Sequence, residues 1–311
     1  MKYSVVIPAY NEEEVLYACH TALSEVMQNL NEQYELIFIN DGSRDKTLSI
    51  LKELSEKDEN IRIISFSRNY GHQIAITAGM DYAEGEAIIV IDADLQDPPS
   101  LIPKMLEKWE EGFHVVYAKR IKRKGESFFK KITAKMYYRL LDSLTTIDIP
   151  VDTGDFRLID RQIADILKND IREKNRYIRG LVAWVGFNQT FIEYERDERL
   201  AGETKYPLKK MIKFAVDGIT SFSYKPLKIA TKIGFLFSLA AFIHLSYVLI
   251  EAIFFYRTNP GWASLMSILL FSQGITLIIL GIIGEYISRI FKEAKDRPIY
   301  LVQETLGYKV K

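Results

Sequence analysis

Two apolar stretches near the carboxy-terminal end constrain this chain more than any other feature. Ile233 to Tyr256 and Trp262 to Ile287 are each almost continuously apolar, and Arg257-Thr258-Asn259-Pro260-Gly261 joins them as a tight turn. As a helix, the first stretch spans roughly 36 Å at 1.5 Å per residue, enough to cross a hydrocarbon core of about 30 Å. A helix this long with so few polar groups is a poor fit to the interior of a soluble domain, so a two-helix transmembrane hairpin is expected. Arg289, Lys292, Lys295 and Arg297 follow the second span, while the turn holds only Arg257, which puts both flanks on the cytoplasmic side of the inner membrane. Tyr256 and Trp262 would then sit at the far interface. Folding the hairpin about Asn259 brings His244 and Gln273 to nearly the same depth, and an interhelical hydrogen bond of about 1 kcal/mol is expected between them. Polar residues at matched depth would also let the hairpin pack against copies of itself. Glu251, about one turn from the external end, reads as a snorkelling interfacial residue.

The amino-terminal part has a different pattern. Short apolar runs alternate with amphipathic stretches, the signature of βαβ units around a mostly parallel sheet. Strands are expected at Tyr3 to Ile7, Tyr34 to Asn40, Ile61 to Ser65, Ile88 to Ile91 and Val115 to Ala118. Asn11 is placed to cap the first helix and Asp45 the second. Each of the first four strands ends in a polar loop, and the carboxyl ends of parallel strands lie along one edge. Tyr10, Glu12, Asp41, Arg68 and Asp92 can therefore line one crevice.

The fourth strand, Ile88-Ile89-Val90-Ile91, ends in Asp92, Asp94 and Asp97, three carboxylates within six residues. Four consecutive aliphatics suit a strand buried on both faces. A turn at Pro98-Pro99 lets Gln96 curl back beside Asp92 and Asp94. Two readings follow: a hard-oxygen site for Mg²⁺ or Mn²⁺ carrying a diphosphate, or a strand-end turn capped by its own aspartates.

Further along, Lys119-Arg120-Ile121-Lys122-Arg123-Lys124 and Lys130-Lys131 enclose Phe128-Phe129. Such a run is either a solvated loop or a contact for anionic headgroups and a lipid phosphate. No helix-turn-helix or RNA-binding signature accompanies it, so no nucleic-acid partner is expected. Asp155 follows in a polar loop that leads into an apolar strand or helix, as a catalytic carboxylate or a loop residue bonded to nearby amides. Arg199 to Tyr206 is either a flap with two cations or a linker. The lysines from Lys205 to Lys232 alternate with apolar residues, which suits amphipathic helices in the headgroup region.

Composition adds limits. Lysine plus arginine (41) equals aspartate plus glutamate (41), so net charge names no partner. The single cysteine, Cys19, excludes an internal disulfide and fits a reducing compartment. The start of the chain has too short an apolar run for a signal peptide, so the amino-terminal part is expected in the cytoplasm. No Gly-x-Gly-x-x-Gly or P-loop pattern occurs. Neither an internal repeat nor a low-complexity segment is present.

Five motifs occur in a telling order: Pro8-Ala9-Tyr10-Asn11-Glu12, Asn40-Asp41-Gly42-Ser43-x-Asp45, Ser67-Arg68-Asn69-x-Gly71-His72, Asp92-Ala93-Asp94-Leu95-Gln96-Asp97-Pro98-Pro99 and Arg199-x-x-Gly202-x-x-Lys205-Tyr206. In that order they resemble the family-2 glycosyltransferases, and among these the polyprenyl-phosphate branch, over essentially the whole chain. The resemblance implies a GT-A domain over residues 1–205, amphipathic juxtamembrane helices over 206–232, transmembrane helices at 233–256 and 262–287, and a cytoplasmic tail at 288–311. It further implies that Pro8, Tyr10, Glu12, Asp41, Arg68, Asp92 and Ala93 hold the nucleotide, and that Asp94 and Gln96 bind a divalent metal, Mg²⁺ or Mn²⁺. By the same resemblance Lys119, Arg120, Arg123, Lys131, Arg199 and Lys205 meet the acceptor phosphate, while Asp155 with Arg120 acts in catalysis.

The implied reaction is inverting transfer of one hexose, glucose or N-acetylglucosamine, from a nucleotide sugar, UDP-linked by analogy, to undecaprenyl phosphate. Processive synthases of the superfamily usually carry Gln-x-x-Arg-Trp, which this chain lacks, so one sugar per acceptor is favoured over a growing polysaccharide. A non-catalytic sugar-nucleotide-binding module is disfavoured because Asp92, Asp94 and Gln96 are all present.

Overall fold

All seven residues of β1 (Tyr3–Ala9) and all seven of β2 (Tyr34–Asn40) are buried, as strands covered on both faces must be. The computed structural model describes residues 1–121, 153–195, 223–255 and 261–308. After β1 and β2 come β3 (Ile61–Phe66) and β4 (Ala87–Val90), with helices α1 (Leu16–Gln28), α2 (Thr47–Lys57) and α3 (His72–Tyr82) as crossovers. Then follow α4 (Ile102–Glu110), β5 (Val115–Arg120), β6 (Thr153–Asp160), α5 (Arg161–Asn169), α6 (Ile178–Val185) and β7 (Gln189–Tyr194). The chain closes with α7 (Lys225–Phe255), α8 (Trp262–Ala294) and β8 (Val302–Leu306).

The sheet runs β7-β5-β6-β4-β1-β2-β3-β8. β3, β2, β1 and β4 are mutually parallel, which puts their carboxyl ends on one edge as expected. β6 enters antiparallel between β4 and β5. Its register pairs Val90 with Arg157, and carried two residues further it sets Asp155 opposite Asp92. Apolar clusters cover both faces, one beneath α1, α2 and α4, the other beneath α3, α5 and α6.

Pro8 shows how a central strand tolerates proline. Val6 accepts a hydrogen bond from Ile91 on the β4 side, whereas Ala9 accepts one from Asp41 on the β2 side. Pro8 alternates with Ala9 and so faces β4, which has already ended at Val90. The N–H that proline lacks would have met no partner strand.

Several expectations change. Asn11 does not cap α1, which starts at Leu16; it sits at φ 54° and its Oδ1 accepts from Arg44 N at 2.9 Å. The β1–α1 loop is stitched sideways to the β2–α2 loop, through Glu12 N to Thr47 Oγ1 (2.9 Å) and Lys46 N to Glu13 Oε2 (2.9 Å). Lys46 occupies the N-cap position of α2, and Asp45, expected there, sits one residue earlier and accepts from the first helical amide, Thr47 N, at 3.0 Å. Within the segment expected to be a tail, Val302–Leu306 pairs antiparallel with β3 and covers that edge of the sheet.

α7 and α8 contain stretches long and apolar enough to cross a membrane, Lys225–His244 and Ile268–Ala294, with 6% and 0% of those windows buried. That exposure separates them from the core helices of a soluble domain. Phe237 meets Phe271 at 5.6 Å between ring centroids, and Tyr286 Oη donates to the Ser223 carbonyl at 2.6 Å. Folding about Asn259 would instead set Phe271 beside Tyr247. The helices are therefore slid past one another, His244 and Gln273 are not level, and no hydrogen bond joins them among the described residues. Their supposed pairing thus lends no support to self-association. Of the amphipathic segment only residues 223–232 are described, the last eight as the first turns of α7; Tyr256 and Asn259 lie outside the described residues.

At the opposite end of the sheet Ser4 Oγ donates to buried Glu35 (2.6 Å) and accepts from Gly85 N (2.7 Å). Ser4→Ala leaves Gly85 N without its acceptor and Glu35 with only the Glu84 amide at 2.7 Å, and is expected to cost about 1–3 kcal/mol, read as a lower thermal unfolding midpoint of the detergent-solubilised protein.

Candidate active site

Where β4 stops and β1 continues, the sheet opens, and the loops after β1, β2, β3 and β4 together with the start of β6 surround the gap. Asp41, at the end of β2, is buried, and its two carboxylate oxygens accept from Tyr70 N (2.6 Å) and Gly71 N (2.9 Å). Burial raises its pKa against the pull of those two amides. The carboxylate thus pins the β3–α3 loop. Gly42 beside it sits at φ 65°, and a Cβ there would come within 2.4 Å of the Arg68 backbone, so only glycine lets the loops meet. On that loop Arg68 is exposed and lies over the Tyr70 ring at 4.0 Å. Tyr10 is 40% exposed at the mouth of the gap, Glu12 is half-buried beside it, and Pro8 and Ala93 form buried wall.

Asp92 and Asp94 follow β4 as expected, though not on a continuing strand. Leu95 at φ 55° turns the chain, and Asp94 Oδ1 accepts from Gln96 N at 3.2 Å. The strand-end reading holds for Asp94, which caps the turn with its own carboxylate, and Asp92 and Asp94 both stand at the gap. Oδ1 of Asp92 is buried, makes no hydrogen bond and lies 3.4 Å from His72 Nε2. Burial raises the Asp92 pKa; His72 opposes this, and the carboxylates of Asp155, Asp94 and Asp97 add to it. Among the described residues no three His, Cys, Asp or Glu side chains form a metal cage.

Asp155 meets Asp92 across the gap as the β4–β6 register requires. Arg179, from the start of α6, grips it with two hydrogen bonds, Nε to Oδ1 at 2.9 Å and Nη2 to Oδ2 at 3.1 Å. His72 Nε2 at 3.1 Å and Gln73 Nε2 at 3.3 Å share Oδ2. Burial alone would raise the Asp155 pKa, but Arg179 and His72 outweigh it and hold the carboxyl well below the usual range. Burial works to lower the His72 pKa, yet Asp92 and Asp155 carry it up to about 9. Arg157, fully buried, bonds the backbone carbonyls of Asp155 and Gly154.

Neither His72 as a site residue nor Arg179, Gln73 or Arg157 emerged from the sequence. His72 stood within a quoted motif, but nothing marked its partner. Arg179 lies 24 positions from Asp155 and in another element, and only the packing of α6 against the sheet unites them.

Arg120, expected at the acceptor phosphate and in catalysis, is already balanced. Its Nη2 reaches fully buried Asp97 at 3.2 Å and its Nε donates to Tyr194 Oη at 3.0 Å, with the tyrosine hydroxyl also bonded to Asp97. Lys119, one residue earlier on β5, points the other way, to Glu193 at 3.2 Å and the Phe191 ring at 4.2 Å. Strand alternation separates the two cations. Arg123, Lys131, Arg199 and Lys205 lie outside the described residues.

The Glycosyl transferase family 2 profile matches residues 4–167 and the GtrB C-terminal hairpin profile matches residues 225–290. The chain belongs to glycosyl transferase family 2. Its sheet is the GT-A fold, and the protein is a glycosyltransferase associated with a membrane through its hairpin. It is 60% identical to "Uncharacterized glycosyltransferase YkcC" of Bacillus subtilis over 99% of this chain and 95% of that one. It is 40% identical to "Prophage bactoprenol glucosyl transferase homolog" of Escherichia coli, covering 97% of this chain and 99% of the relative. Identity to "Bactoprenol glucosyl transferase" of Shigella phage SfII is 39%, over 98% of each chain.

Asp155→Asn would leave the Arg179 and Arg157 charges without their partner, and a loss of about 3–5 kcal/mol in stability is expected at neutral pH. Because the folded pKa is depressed, the ionised carboxylate's contribution is complete above the unfolded value of about 3.9 and is lost as pH falls below it. The gap between wild type and variant should hold steady from about pH 7 to pH 5 and shrink only under more acid conditions, as measured by denaturant unfolding.

Proposed function

We propose that this glycosyltransferase moves one glucose from UDP-glucose to undecaprenyl phosphate at the cytoplasmic membrane face, with inversion at the anomeric carbon. The observation that carries the reading is the union, in one chain, of an acid-lined GT-A crevice and a hairpin shared end to end with relatives named bactoprenol glucosyl transferases. N-acetylglucosamine is the second candidate sugar, and the test below includes it. The Lys and Arg residues flanking α7 and α8 favour cytoplasmic termini and a cytoplasmic catalytic domain. In this reading residues 1–205 form the catalytic unit, residues 206–232 the interfacial segment and residues 233–287 the membrane hairpin, while Val302–Leu306 returns to the catalytic sheet.

The acceptor's chemistry fits the site. A phosphate monoester with a second pKa of about 6 is largely a dianion at neutral pH. One of its oxygens attacks C1 of the sugar, the bond from C1 to the donor's β-phosphate oxygen breaks, and the nucleoside diphosphate leaves with that electron pair. No proton has to be removed from the nucleophile. A carboxylate held as Asp155 is, by Arg179, His72 and Gln73, is suited to orienting these groups and poorly suited to acting as a base.

Pro8, Tyr10, Glu12, Arg68, Asp92 and Ala93 are assigned to the nucleotide, with Asp41 acting through the loop it pins. The buried, unbonded Oδ1 of Asp92 and the carboxylate of Asp94 are hard oxygen donors beside Gln96. Mg²⁺ or Mn²⁺ rests typically on one or two carboxylates plus substrate phosphates, so these residues fit such an ion. When bound, it would take up charge on the departing diphosphate. Arg123, Lys131, Arg199 and Lys205 are assigned to the acceptor phosphate, with Lys119 at the edge of that region; Arg120 serves by holding Asp97.

Membranes containing the protein, given labelled UDP-glucose or UDP-N-acetylglucosamine with undecaprenyl phosphate, should yield a chloroform-soluble lipid monosaccharide from the glucose donor. A water-insoluble polymer without that lipid would support the processive alternative and sink this one. Chelation should stop the reaction, and Mg²⁺ or Mn²⁺ should restore it. Asp94→Ala should lower the rate by about a thousandfold or more, the scale of losing a principal electrostatic contact at the leaving group. For Asp155→Asn, a loss of about a hundredfold is expected with no recovery at high pH; full recovery there would assign it the role of base.

A further inference from the structure

Asp41 holds the Arg68–Gly71 loop from beneath, and the segment returning from the membrane hairpin holds it from the outer side. Ser67 N donates to the Leu301 carbonyl at 3.1 Å, where β3 gives way to the loop. The Tyr300 ring stacks on Phe66 at 5.2 Å and 23°. Phe66 meets Tyr70 edge-on at 5.5 Å, and Tyr70 carries the Arg68 guanidinium at 4.0 Å. An unbroken file of rings thus runs from Tyr300 to the cation at the mouth of the crevice.

Tyr300 also faces the other wall. Its hydroxyl donates to Asp81 at 2.8 Å, and Asp81 accepts two further bonds from Arg172 at 2.8 and 2.9 Å. Arg172 opens the segment that leads to Arg179 and so to Asp155. The end of α8 docks on that same segment, through Lys174 N to Glu293 (2.8 Å) and Lys174 Nζ to Asp296 (2.7 Å). Tyr300 therefore stands between the Arg68–Gly71 loop and the segment that leads to Arg179, just past the end of a membrane helix.

We infer that Tyr300 is a positioning residue for the sugar-nucleotide donor: its ring sets the Arg68–Gly71 loop and so makes donor affinity depend on the strand that returns from the membrane hairpin. This rests on reading the crevice as the donor site. Tyr300 touches no substrate, and its effect reaches the donor through Phe66 and Tyr70. A residue that only supported stability would lower the unfolding midpoint and leave the donor KM alone.

The test uses the full chain in detergent or nanodiscs, with steady-state KM for UDP-glucose and for undecaprenyl phosphate, and calorimetric binding of UDP-glucose. Tyr300→Leu removes the stacked ring and is expected to raise the donor KM and Kd about tenfold, with the acceptor KM within about twofold. Tyr300→Phe keeps the ring and should keep donor affinity within about twofold. Lys52→Ala, which cuts the ion pair from α2 to Glu304 on β8 without touching the ring file, should change neither KM. If Tyr300→Leu does not fold, Tyr300→His takes its place, with an expected rise of about threefold in the donor KM. Unchanged donor affinity in a folded ring-loss variant, or an equal rise in both KM values, overturns the inference. A wild-type protein that binds UDP-glucose but leaves undecaprenyl phosphate unmodified overturns the acceptor assignment and leaves Tyr300 to be decided by Kd alone. No binding of UDP-glucose by wild type overturns both.

Discussion

The pairing of Asp155 with Arg179 is the contact on which the site depends. A carboxylate this deeply buried is costly unless it is hydrogen-bonded and balanced, and Arg179 supplies both requirements with a two-point grip. The grip also ties the start of α6 to the start of β6, while His72 and Gln73 tie in the start of α3. Three elements far apart in the chain converge on one carboxyl group. The antiparallel register of β6 against β4 then holds that group facing Asp92.

Carboxylates in this enzyme divide by what surrounds them. Asp41 is occupied by two loop amides, Asp97 by Arg120 and Tyr194, and Asp155 by Arg179 and its neighbours. These three brace the loops of the crevice. Asp92 differs, because its buried Oδ1 has no hydrogen bond, with His72 3.4 Å away and three other carboxylates crowding it. A group that burial and like charge both push toward neutrality is stabilised in ionised form by an arriving cation. The acidic motif thus combines bracing residues with one whose buried oxygen has no hydrogen bond.

Much of the fold was legible in the sequence because its signals are local. Unbroken aliphatic runs must be buried on both faces, and the alternation with amphipathic segments leaves a parallel sheet as the solution. The edge that carries the polar loops followed from that topology, and the bond from Asp45 to the first amide of α2 followed from its side chain. Asn11 misled because a good capping residue was claimed instead by the neighbouring Arg44 amide across the loop. Arg120 misled because a basic run looks solvated in sequence, whereas strand alternation turns this one member inward to Asp97. His244 and Gln273 failed because a symmetric turn was assumed, while Phe237 against Phe271 sets a shifted register. β8 is short and alternates exposed with half-buried residues, the Ile299-Tyr300-Leu301-Val302 run leading into it lies in the segment expected to be a tail, and it pairs along the edge that β3 offers.

By itself the sequence determined the parallel β3-β2-β1-β4 part of the sheet, the edge that bears the acidic loops and the two helices suited to lipid, since each follows from the burial demands of contiguous residues. Only the tertiary structure decided which charges meet. Arg179 finds Asp155, Tyr194 finds Asp97, and Tyr300 returns from beyond the membrane helices to Phe66, because these pairings depend on how separate elements pack. Hydrophobic periodicity says which side of an element is buried. It carries no information about the polar partner waiting there, and the chemistry of this site resides in those partners.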